Sequence, residues 1–181
     1  MYNDIGISTW ILNNISSYEF LPEICKILLT INTFGILWAI LIGVFIFLHY
    51  KEKNKFDFSY LFMIAPIIIG AFVTILIQMW ITRAHPYEVI EGFKGESILQ
   101  YSLPSLSVMI SVGVSFILTL KNPDYKIYYY IACFVMAASE LILGVSYLSD
   151  IIFGAGLGLL FGALGNITNI YLSPIIIKET E

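Results

Sequence analysis

Five apolar stretches, separated by short polar or charged intervals, set the plan of this chain. The first runs from about Ile24 to Tyr50, with an uncharged core from Phe34 to Leu48, and Pro22 ahead of it suits a helix start. The second runs from Tyr60 to Thr82 and carries Pro66 and Gly70, which a membrane helix tolerates. The third, Ser105 to Leu120, is short for a span; the fourth covers Ile127 to Val145 and the fifth Ile151 to Leu172. Each suits a helix crossing a bilayer, which takes about 20 apolar residues. Residues 3–18 mix Ile5, Trp10, Ile11 and Ile15 with polar positions. That run is too short and broken to span, and it predicts a helix at the membrane interface, or an ordered surface tail. The expected fold is therefore all-α, one integral membrane domain over 1–181. It divides into an interfacial helix (1–20), a transmembrane bundle of about five spans (21–172) and a cytoplasmic tail (173–181).

Composition agrees with the pattern. The chain is 59% hydrophobic and 12% charged, with mean hydropathy +0.86, and its charge content is about half that of soluble domains. A net charge of -4 argues against nucleic acid or an anionic surface as the partner. Cys25 and Cys133 fall at different depths of this map, which argues against a disulfide, and neither has a metal-ligand neighbour. The start of the chain lacks the basic stretch and cleavage site of a removable signal peptide. Membrane lipids and other membrane subunits are the expected partners, with no cofactor.

Charge sets an orientation. Lys51, Lys53, Lys55, Lys121, Lys126 and Lys178 fall on one side of a five-span map, and only Lys26, Arg83 and Lys94 fall near the other. The positive-inside rule then puts the N-terminus outside and the C-terminus in the cytoplasm of a multi-pass cell-membrane protein. His49 falls at the cytoplasmic end of the first span. The outer side holds the segment from Arg83 to Leu103, where Glu88, Glu91, Lys94 and Glu96 interleave with Val89, Ile90, Phe93, Ile98 and Leu99. It is longer than most structureless loops and predicts a lid or a short headgroup-level helix. Gly154, Gly158 and Gly162 share one face of the last span, which lets another backbone approach closely. Packing within the chain is the first expectation, and a homo-oligomer through these glycines the second. The sequons at Asn14 and Asn166 are too common a pattern to weigh, and the second falls within a span.

Three polar segments fall at span ends on the outer side. They are Gln78 through Arg83, His85 and Pro86; Pro104-Ser105-Leu106-Ser107; and Ser139-Glu140 with Ser146 and Asp150. Their order and spacing resemble the signature motifs of the type 2 phosphatidic acid phosphatases, membrane lipid phosphatases related to haloperoxidases. That pattern reads Lys-x6-Arg-Pro, Pro-Ser-x-His and Ser-Arg-x5-His-x3-Asp. In that family, one histidine attacks phosphorus, an aspartate orients it, a second histidine protonates the leaving oxygen, and the lysine and arginines hold the phosphate. Here Gln78 stands for the lysine and His85 for the first arginine. Ser107 replaces the acid histidine, Glu140 the second arginine and Ser146 the nucleophile. Pro86, Pro104, Ser105, Ser139 and Asp150 are retained, and Arg83 offers a displaced positive charge.

The resemblance thus implies the fold and withholds the reaction. A carboxylate in a phosphate seat repels what an arginine would attract, by roughly 4 kcal/mol for a unit pair at about 4 Å and an effective dielectric near 20. The expected function is a catalytically inactive relative that binds lipid or serves as a small subunit of a membrane complex. Alternatives are a hydrolase using non-family residues (His85, Glu140, Asp150, Ser107 or Ser146) and a lipid or small-molecule carrier. Within the pocket, His85 is expected to hydrogen bond Glu140, and Asp150 to bond Ser146 or Ser107. A divalent cation on His85, Glu140 and Asp150 is the sharper alternative, and a serine nucleophile activated by His85 and Asp150 the weaker one.

Overall fold

The computed structural model describes residues 2–16, 18, 20–32, 35–53 and 59–179. Phe34 and Lys55, used above in the span and charge maps, lie outside them, as do the side chains of Lys53 and Lys178. The described chain is all helix and connection: α1 (Tyr2–Asn14), α2 (Phe20–Ile31), α3 (Ile36–Lys53), α4 (Ser59–Ile81), α5 (Pro86–Val89), α6 (Leu106–Lys121), α7 (Lys126–Leu143) and α8 (Leu148–Glu179). Its surface is that of a membrane protein. Phe72, Leu76, Trp80, Phe134, Ile152 and Phe153 are all more than 60% exposed. Water would penalise such a belt, and lipid does not.

Three stretches are long and apolar enough to cross a bilayer: Ser59–Val89, Pro123–Leu143 and Leu148–Ser173. α2 and α3 make a fourth when taken as one span bent by 56°. The first apolar stretch is thus not the straight helix its hydropathy suggests. Asn32 is buried where the two helices part, and Gly35 has φ +78, a left-handed value that interrupts a right-handed helix. A Cβ on Gly35 would also run into Ile110. α8 differs at its other end, staying helical to Glu179 through most of the stretch read as a tail.

α6 is the centre of the bundle, packed against α8, α4 and α7. Its inward side chains are small or unbranched near the crossing: Ser111, Gly113 and Ser115. The α8 glycines meet that face. A Cβ on Gly154 would strike Ser105 O, one on Gly158 would strike Met109 O, and one on Gly162 would press on Phe116. Gly165 faces Met63 O of α4 in the same way. So the glycine stripe is occupied within the chain, and a homo-oligomer through it would require α6 to move. Close backbone packing of this kind replaces the hydrophobic drive that lipid removes. Two hydroxyls of α6 are matched to neighbouring helices: Trp38 Nε1 donates to Ser111 Oγ at 2.8 Å, and Ser115 Oγ lies 2.9 Å from Cys133 Sγ.

The α6–α8 contact is testable. Gly158→Ala should destabilise the detergent-solubilised protein by about 1–3 kcal/mol, since neither backbone can yield. Gly156, with nothing within 4 Å of a Cβ, should accept alanine without loss. Thermal unfolding of the two variants makes the comparison, and equal loss in both would refute the packing account.

Candidate functional site: a cross-linked pocket at one end of the bundle

All three motif segments meet at the same end of the bundle. The first leaves α4 through Thr82, whose φ of 52 is unusual for a β-branched residue. That turn carries Arg83 away from the helix axis. The second begins at Ser105, the N-cap of α6, whose Oγ accepts from Val108 N at 3.2 Å. The third spans the end of α7 and the start of α8. There Gly144, in the left-handed region at φ 69, closes α7 by donating to Glu140 O and Leu141 O. A side chain at Gly144 would also collide with the Phe93 ring.

The segments are stitched together by polar contacts. Gln78 Nε2 donates to Pro104 O at 2.7 Å, joining the first motif to the second. Ser105 Oγ donates to Glu140 Oε2 at 2.6 Å, joining the second to the third. Ser105 N reaches Asp150 O at 3.0 Å. His85 has one ring nitrogen 2.5 Å from Val145 O and the other 3.0 Å from Leu99 O, and it stacks on Tyr87. Its backbone N–H donates to Glu88, the third residue of the single helical turn α5. His85 therefore pins the outer segment, Arg83 to Leu103, onto the turn between α7 and α8. That segment covers the site as a folded strap with one turn of helix, α5.

Two sequence expectations fail here. His85 does not bond Glu140; its two ring nitrogens lie instead against the carbonyls of Val145 and Leu99. Asp150 does not bond Ser107 or Ser146. Its Oδ1 lies 2.5 Å from Arg83 Nη1, and its Oδ2 accepts from Tyr147 N at 2.9 Å. Arg83 is no free phosphate ligand either. Its Nη1 also donates to Ser149 Oγ, its Nη2 reaches Asp4 Oδ2 at 3.0 Å, and its Cζ sits 3.9 Å over the Tyr147 ring. Residue by residue the cation set also dissolves: His85, Glu140 and Asp150 each have other partners. Among the described residues no group of three or more His, Cys, Asp or Glu is placed to hold a metal.

What remains is a cavity of about 490 Å³. Gln78, His85, Ser105, Ser107, Glu140 and Ser146 line it, whereas Arg83, Ser139 and Asp150 do not. Ser139 is buried and turns back to Val135 O. Glu140 is 3% exposed, and Ser107 and Ser146 flank the same carboxyl. Ser107 Oγ stands outside hydrogen-bond geometry. The motif comparison did not single out four further contributors. Asn32 was visible as a lone amide in an apolar run. Lys26 and Glu96 form an ion pair of 3.1 Å at the cavity's edge. Asp4, far from any motif, had no sequence signal beyond its charge.

The fold and the site together define a polytopic helical membrane protein of the lipid-phosphatase type. The chain belongs to the PAP2 superfamily, whose family model matches residues 58–171. A similar solved structure is the transmembrane PAP2-type phosphatidylglycerolphosphate phosphatase of Bacillus subtilis, 18% identical, with a TM-score of 0.73 over 91% of this chain and 83% of that one. At that identity the likeness speaks for the fold. No curated protein matches significantly.

The Arg83 cluster carries a prediction. Asp150 is fully buried, so Arg83→Leu strands its charge and should cost roughly 3–5 kcal/mol. Asp4 should respond to acid. Burial raises its carboxyl pKa, but hydrogen bonds from Ser149 and Arg83, with the Arg83 charge, outweigh this and hold it below the ordinary value. Its contribution is then complete above the unfolded-chain pKa of about 3.9. It is lost as pH falls through the lower folded value. Asp4→Asn should lower stability at neutral pH and flatten the acid limb of a stability–pH curve. An unchanged acid limb would exclude Asp4 as its source.

Proposed function

We propose that this protein is a non-catalytic member of its superfamily that binds lipid in the old substrate cavity. The observation that carries the reading is the state of the phosphate seats. Gln78 is committed to Pro104 O, His85 to Val145 O and Leu99 O, and Arg83 to Asp4 and Asp150. The remaining seat presents the Glu140 carboxyl to the cavity. Transferring a phosphoryl group needs fixed cations where charge develops, and Ser107 and Ser146 stand where the reaction would need histidines. The serine-nucleophile alternative draws no support from His85 or Asp150, since both are engaged elsewhere. Purified protein given phosphatidic acid and phosphatidylglycerolphosphate in mixed micelles should release phosphate no faster than buffer. Turnover that disappears in Ser146→Ala or Ser107→Ala would overturn this.

The proposal includes five spans, with α6 as the short one and the bent α2–α3 pair as the first. α6 supports this by its apolar composition and its place at the middle of the bundle. The motif end then faces outward, with the N-terminus outside and the lysine-rich connections in the cytoplasm. An N-terminal epitope on intact cells or spheroplasts should be open to protease; protection until lysis would reverse the orientation.

A further inference from the structure

Two cavities share a wall. The polar one at the motif end is lined by Asn32, Ser107, Glu140 and Ser146, with Leu106 and Ile110 on its inner side. The second, about 470 Å³, is almost wholly apolar and lies between α3, α4 and α6, lined by Trp38, Ile42, Ile67, Phe72 and again Leu106 and Ile110. A polar chamber set against an apolar groove, with Leu106 and Ile110 between them, matches the two ends of an amphiphile.

Charge and hydrogen bonding narrow its headgroup. The charged residues lining the polar chamber are Lys26, Glu96 and Glu140. Lys26 and Glu96 pair with each other. Among the described residues Glu140 has no ion-pair partner, although it is 3% exposed, and the hydroxyls of Ser105, Ser107 and Ser146 stand against its carboxyl. Arg83 is no remedy, since one guanidinium already faces two carboxylates. A buried carboxylate normally has a counter-charge. Independently, Asn32 is 2% exposed, lines the same chamber, and has neither amide nitrogen nor oxygen hydrogen bonded. Buried amides are rarely left so. Its oxygen accepts what an ammonium donates.

We propose that the paired cavities bind an ammonium-bearing amphiphile, with the cationic head on Glu140 and Asn32 and the chain in the groove beneath Leu106 and Ile110. This rests on the lipid-binding reading and reverses the charge preference of a phosphate site. Ser107 and Ser146 complete the acceptor set. The site holds the headgroup and performs no bond change.

The test uses the full chain in a neutral maltoside detergent, with octylammonium, octyl phosphate and octyl glucoside as probes. Octylammonium should raise the unfolding temperature, and its half-saturating concentration should rise at least tenfold in Glu140→Gln and in Asn32→Leu. Octyl phosphate should give little shift. Should Glu140→Gln fail to fold, Asn32→Leu alone decides, and Ile110→Trp should abolish the octylammonium shift. Tighter binding of octyl phosphate, equal binding of octyl glucoside, or ammonium binding unchanged in the folded variants would each overturn the proposal. Those outcomes leave the absence of turnover untouched, whereas phosphate release in the micelle assay would sink the non-catalytic reading and not the ammonium site.

Discussion

The Arg83–Asp150 ion pair holds the motif end of this molecule together. Asp150 lies in the first turn of α8, Arg83 follows α4, and the second terminal nitrogen of the guanidinium reaches Asp4 on α1. Three segments far apart in sequence thus converge on one cation with little access to water. Removing Asp150 from solvent is costly, and only a fixed partner with further hydrogen bonds offsets it. Tyr147 N, Ser149 and the Tyr147 ring supply those contacts. The turn between α7 and α8 is consequently rigid, and with it the positions of Glu140 and Ser146.

Around that anchor the motif positions act as fasteners. An arginine or lysine must point its charge at a ligand, whereas glutamine and histidine can bond the backbone of a neighbouring segment. Gln78 and His85 do so, each tying a loop that a phosphate would otherwise organise. The substitutions are therefore mutually consistent: each ties one segment of the site to another. Glu140 alone among them turns a charge toward the cavity.

Much of the fold was legible. Apolar run lengths located α4, α7 and α8, and the spacing of Gly154, Gly158 and Gly162 foretold a close helix contact. The break between α2 and α3 escaped because hydropathy averages over a window and hides one amide and one glycine, Asn32 and Gly35. The motif spacing named the residues of the site but not their partners. Whether His85 meets Glu140 or Val145 O depends on a turn geometry fixed by Gly144 and Phe93, which residue identity at the motif positions does not encode. Asp4 was out of reach for the same reason, since its role exists only after α1 folds back on the bundle.

The brevity of α6 has a consequence for the membrane. Its 16 residues make a helix of about 24 Å at 1.5 Å per residue, against a hydrocarbon layer of about 30 Å. With α6 as a span, the mismatch of roughly 6 Å falls at its ends. At one end Lys121 lies over the Tyr60 ring and bonds Ser59, a cation anchored at an interface. At the other, the polar cavity opens above Ser105. The floor of the site therefore lies below the headgroup plane, as a pit in the bilayer. On the same five-span reading, the local thickness of the membrane becomes one of the variables that set how deep that pit lies.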